Sequence, residues 1–141
     1  PVKALRDRVW LSLTFDPAKK ASVLLNNSDK RIQMAQKLFE IGKPDLAVST
    51  MTKAEKYLEE AVAEEKKARA QKIANYEFMQ RLATSTLKHR QLLEEMLKIA
   101  PEDAKPAVVK ILDYPKKLYE EAKNMLTDAG QSVPKNPYDG Q

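Results

Sequence analysis

From Asp45 to Ala100 the chain contains neither glycine nor proline, and this unbroken stretch constrains the fold more than any other feature. Apolar or small side chains recur in it at Ala47, Thr50, Ala54, Leu58, Ala61 and Ala68, with Met51, Tyr57 and Val62 alongside. The pattern resumes as Tyr76, Met79, Ala83, Thr86, Leu93, Leu97 and Ala100, flanked by Leu82, Leu87 and Met96. Spacings of three and four are those of a helix that buries one face. Between the two runs, Glu64 to Lys72 is charged and almost free of large apolar groups. The missing breakers favour a single helix, roughly 80 Å long at 1.5 Å per residue. A break near residue 70 is the alternative.

The flanking segments are shorter and better punctuated. Asp16 is a good N-cap, Pro17 suits the first helical position, and Phe15 sits where a hydrophobic staple needs it. A helix should run from there to Ile41 on the stripe Ala21, Leu25, Ser28, Ile32, Ala35 and Phe39, widened by Leu24, Met34, Leu38 and Ile41. Gly42 then ends it, and a short loop to Pro44 requires an antiparallel neighbour. Ahead of it, Val2, Leu5, Val9 and Leu13 form the stripe of a short amphipathic helix. After Pro101 a last helix should cover 104–129 on Val108, Ile111, Leu112, Leu118, Ala122, Met125 and Leu126, kinked at Pro115 and capped by Gly130.

These pieces define an all-α chain, more than two-thirds helix, with no strand pairing. Two layouts follow: extended antiparallel helices around one long central helix, or a four-helix bundle with a short N-terminal helix. In the first, the helix from Pro17 lies on the first half of the central helix and the last helix on its second half. Either way residues 1–130 form a single helical domain, and 131–141 an irregular tail containing Pro134, Pro137 and Gly140. Such a tail orders only against a surface. That surface is either its own helices or a neighbouring copy, with Val133, Pro134 and Tyr138 as possible assembly contacts.

Composition narrows the chemistry. The chain has no cysteine, so disulfides, thiolate metal sites and cysteine nucleophiles are excluded together. No run of about 18 apolar residues is present to span a bilayer. The first residue is proline, with no initiator methionine, which leaves room for a removed leader. Net charge is +5, yet basic and acidic residues alternate through most of the sequence. The tightest basic cluster, Lys66-Lys67-Ala68-Arg69-Ala70-Gln71-Lys72, follows directly on Glu64 and Glu65, which argues against a nucleic-acid face.

His89 is the only histidine, on the stripe Met79, Leu82, Thr86, His89, Leu93, Met96. One turn away lie Ser85, Thr86, Leu92 and Leu93, which supply hydroxyls but no carboxylate, so it reads as a structural histidine at a core edge. The carboxylate pairs Glu59-Glu60, Glu64-Glu65, Glu94-Glu95 and Glu120-Glu121 diverge by about 100° on a helix and do not converge on one ion. No phosphate-cradling loop, Ca²⁺ loop or nucleophile elbow occurs. The expectation is therefore no catalytic residue, no metal, no cofactor and no small-molecule substrate.

Two stretches carry a resemblance. Pro1-Val2-Lys3 with Leu13-Thr14-Phe15-Asp16-Pro17-Ala18-Lys19-Lys20-Ala21 resembles the opening of an uncharacterised domain family of bacteria and archaea, in which the pattern follows a secretion signal. Thr86-Leu87-Lys88-His89-Arg90-Gln91-Leu92-Leu93-Glu94-Glu95-Met96-Leu97, continued by Ala100-Pro101-Glu102-Asp103-Ala104-Lys105-Pro106-Ala107, is similar to a second segment of that family. The resemblance spans about residues 1–126. It departs at Asn26-Asn27-Ser28 and at Asp113-Tyr114-Pro115. It implies a helical, extracytoplasmic domain without an assigned activity. The functional expectation is a non-enzymatic structural or protein-interaction module that meets a protein partner or further copies of itself. The alternative is a basic helical module that binds an anionic polymer, nucleic acid or cell-wall polymer.

Overall fold

Asp16 starts the first helix: its side chain accepts the Ala18 N–H at 2.9 Å, and Pro17 takes the first helical position, where a missing N–H costs nothing. The structure is a computed structural model that describes residues 16–71 and 75–139. The short helix expected over Val2–Leu13 and the staple from Phe15 lie outside the described residues. Five helices follow: α1 (Pro17–Glu40), α2 (Pro44–Ala70), α3 (Tyr76–Ile99), α4 (Lys105–Ile111) and α5 (Asp113–Asp128). Every regular element among the described residues is helical.

Gly42 adopts φ +79°, the left-handed conformation that a residue with a Cβ resists. Its N–H bonds to Phe39 O and the Lys43 N–H to Leu38 O, which satisfies two carbonyls at the end of α1 and reverses the chain. α2 therefore returns antiparallel along α1. Small residues recur every seventh position on both, Ala21, Ser28 and Ala35 facing the other helix from α1 and Ala47, Ala54, Ala61 and Ala68 from α2, all buried. The backbones come close enough for Ser28 Oγ to donate to the Ala54 carbonyl at 2.6 Å. Leu24, Leu25, Ile32 and Phe39 fill the rest of the α1 face, whereas Met34 and Ile41 point to solvent.

The long central helix does not form. α2 ends at Ala70, and Asn75 caps a new helix by accepting the Phe78 N–H at 3.0 Å. The break begins at Gln71, within the charged stretch Glu64–Lys72. Its physical reason is burial. A straight helix would carry Phe78, Met79 and Leu82 away from Leu24 and Leu25; the break returns them to one cluster with Tyr57, Leu58, Leu118 and Leu126. Each large side chain buried contributes roughly 1.5–3 kcal/mol, which outweighs a few residues taken out of helix. The expected partnerships survive, with α1 on α2 and α5 on α3, but α3 now also packs on α1. The four-helix bundle is thus the layout adopted. A second cluster, Ile32, Phe39, Met51, Leu93, Met96, Val108 and Ile111, fills the end where α1 stops and α3 meets α4.

The last expected helix is two. α4 ends at Ile111, and α5 begins at Asp113, so that Pro115 falls in the first turn of a new helix instead of kinking an old one. Gly130, at φ +68°, closes α5 with the same carbonyl pattern as Gly42.

Candidate functional site

α3 carries His89 into the centre of the bundle, between α1 and α2. The ring has no exposed surface. Its Nδ1–H donates to Glu55 Oε1 at 2.8 Å and its Nε2–H to Asp29 Oδ1 at 2.9 Å. Glu55 is itself 0% exposed, whereas the Asp29 side chain is 35% exposed and accepts a further bond from Ser85 Oγ at 3.2 Å. Three helices thus contribute one member each to a buried ionic triad. Two hydrogen bonds on opposite ring nitrogens need two protons between the three groups, and an imidazolium flanked by two carboxylates supplies them. Burial alone would lower the ring's pKa; the Glu55 charge, with the hydrogen bonds to Asp29 and Glu55 and the Asp29 charge, outweighs it and holds His89 at about 9.

This arrangement determines what the histidine can do. With both N–H groups donating and no accessible surface, the ring is neither a base nor a nucleophile for an outside substrate. Nor do the carboxylates face a common point, since they sit on opposite edges of one ring. Among the described residues, no three His, Asp or Glu side chains are grouped to hold a metal ion.

Sequence reasoning placed His89 at a core edge, whereas the ring is fully buried, and it missed both carboxylates, which lie 34 and 60 residues away along the chain. A signal was present for one. Glu55 falls on the spacing Met51, Glu55, Leu58, Val62, a charged residue on an otherwise apolar face, and a charge there needs a partner. Asp29 follows Ser28 on the corresponding side of α1, with nothing to distinguish it from a surface acid.

The paired glutamates behave individually. Glu64 faces Lys20 (3.5 Å) and Lys67 (3.1 Å), Glu65 lies 2.7 Å from Arg69, and Glu121 faces Lys66 at 3.5 Å. The basic cluster is therefore largely neutralised within the fold, except for Lys72, which lies outside the described residues. The tail sits on the chain's own helices. Val133 packs against the first core cluster, the Pro134 carbonyl accepts from Tyr119 Oη at 3.1 Å, and the Tyr138 ring lies 3.7 Å from the Arg90 guanidinium.

The fold and its centre define a class: an all-α bundle whose interior is locked by a buried Asp–His–Glu triad. The chain belongs to the family described as Domain of unknown function (DUF5667), whose model matches residues 1–103. That match takes in α1 to α3 and all three triad residues, and stops short of the 126 residues the motifs suggested. No curated protein and no solved structure matches the chain.

Proposed function

We propose that this chain is a non-enzymatic structural or protein-interaction module that works outside the cytoplasm and meets a protein partner, further copies of itself included. The observation that carries the reading is the placement of exposed apolar side chains. Among the described residues, Ile41 (64% exposed), Val109 (54%), Leu46 (51%) and Ile99 (47%) are the four most exposed large hydrophobics, and all lie at one end of the bundle. α1 ends there, α2 begins, α3 ends and α4 crosses. Apolar residues gathered at one end, rather than scattered singly, are what an interface needs. Both ring nitrogens of the buried His89 are taken up by Glu55 and Asp29 and are not free for a substrate, which supports the non-enzymatic part. The extracytoplasmic part rests on the likeness to a pattern that follows a secretion signal.

Light scattering across a concentration series tests self-assembly. Association that disappears in Ile41→Lys with Leu46→Lys is the expected result; a 16.0 kDa particle at every concentration removes self-assembly from the reading. Fractionation of cells that make the full-length protein tests location, and recovery in the cytoplasm alone overturns it. Binding of an anionic polymer has less support, because Lys66, Lys67 and Arg69 each face a glutamate.

A further inference from the structure

Residues 131–139 form a strap with no secondary structure of its own. It leaves α5 at Gly130 and turns back along α3. Gln80 Nε2 donates to the Ser132 carbonyl at 3.1 Å and to Ser132 Oγ at 2.9 Å. Further along α3, Arg90 meets the Tyr138 ring, and the Tyr138 hydroxyl bonds to Glu94. Ten residues of helix separate Gln80 from Arg90, so the strap follows α3 for roughly 15 Å. Between these ends Tyr119 of α5 holds the Pro134 carbonyl, and Val133 is pressed into the groove.

Almost every element of this docking is a helix side chain that reads an extended segment. The groove is built by α3 and α5, while both core clusters are composed of residues from α1 to α5 and take only Val133 from the strap, at the edge of one. Arg90 is braced by Glu94 at 3.2 Å, a pair within one helix that does not depend on the strap. Receptor and ligand are therefore separable parts of one chain.

We propose that the α3–α5 groove is a docking site for an extended peptide, and that the strap of a second copy is the ligand it takes in trans. The occupant is identified by fit: the groove already matches this segment in an apolar residue at 133, an acceptor at the 134 carbonyl and an aromatic at 138. Exchange of an identical element between copies preserves every contact and needs only a new path at the hinge. Gly130 and Gln131 are that hinge. Concentration decides the balance. A strap on so short a tether meets its own groove at an effective concentration on the order of millimolar, so exchange competes when the local protein concentration approaches that level. The inference deepens the self-assembly reading above and rests on it.

The absence of cysteine from the sequence provides the test. Full-length chains carrying Gln80→Cys are mixed with full-length chains of different mass carrying Ser132→Cys, held at about 1 mM so that trans docking can compete, then oxidised. Ser132 is exposed, Gln80 is half-buried, and neither belongs to a core cluster, so neither change disturbs the core. The expected product is a disulfide-linked heterodimer, severalfold more abundant than either homodimer, and falling to the homodimer level when Tyr138→Ala is added to the Ser132→Cys chain. Absence of the heterodimer, or a yield indifferent to Tyr138→Ala, overturns strap exchange. Association in light scattering without this cross-link leaves the self-assembly reading standing and removes the strap from it.

Discussion

Replacing His89 by glutamine removes the one group that can carry a positive charge between Glu55 and Asp29. The amide still donates to one carboxylate, so shape and part of the hydrogen bonding persist while the charge is lost. The ring's pKa stands at about 9 in the fold against an ordinary 6.5. At 1.36 kcal/mol per unit, that difference corresponds to about 3 kcal/mol of stability held by the proton. Breaking a buried ion pair costs a similar 3–5 kcal/mol, so two independent routes agree in scale. The sign follows from the raised value. The contribution is fully present below pH 6.5, and is lost as pH rises towards 9, because the folded chain then binds more protons than the unfolded one. Denaturant unfolding of both proteins at pH 6 through 10 measures this directly. The wild-type stability should fall by about 1.4 kcal/mol per pH unit across the window. The His89→Gln protein should be flat there, and the gap between the two should narrow towards pH 9. With one histidine and no cysteine in the chain, the difference between the curves isolates this ring. Parallel curves would show that the imidazole is not charged in the fold, and that a carboxyl carries the second proton.

Three further outcomes are expected from the helix ends. Asp16→Ala removes the acceptor for the Ala18 N–H and should lower the unfolding free energy by about 1 kcal/mol; an unchanged midpoint would mean that α1 does not depend on this cap. Asn75→Ala should cost about the same, through the bond from the Phe78 N–H, and hydrogen exchange should quicken in the first turn of α3. Gly42→Ala meets no neighbouring atom but must hold φ +79°, so a loss of about 1–2 kcal/mol is expected from backbone strain alone, read in a thermal melt.

The helical stripes were legible because each is a local property. Ala21 through Phe39 and Ala47 through Ala68 occupy the buried positions that their spacing predicts; Asp16 starts a helix, and Gly42 and Gly130 end theirs, for reasons visible in a few residues. The break between α2 and α3 was harder to read, because no glycine or proline marks it. Asn75, an unremarkable residue in a polar stretch, supplies the cap, and the driving force is a packing partner on α1 that no local window contains. Pro115 misled in the opposite direction: a proline inside a periodic run suggests a kink, whereas Asp113 begins a fresh turn in which the ring is harmless. The triad lay furthest out of reach. A search one turn either side of His89 finds only hydroxyl and leucine side chains, and the carboxylates arrive from two other helices. Glu55 alone left a trace, as a charge on a core face.

The alternation of small residues along α1 and α2 also acts as a ruler. Ser28 Oγ reaches the Ala54 carbonyl only because nothing larger than a methyl or hydroxymethyl group separates the backbones there. Asp29 and Glu55 are the next residues along from that contact, one on each helix. The gap into which the imidazole fits is therefore measured out by its neighbours, which carry no charge at all. A leucine at position 54 would add hydrophobic surface, the kind of change that ordinarily strengthens a core. Here it would drive the two acids apart and leave a histidine too short to span them. In this fold the tolerance of a position depends less on its polarity than on its girth, and the smallest side chains set the electrostatics.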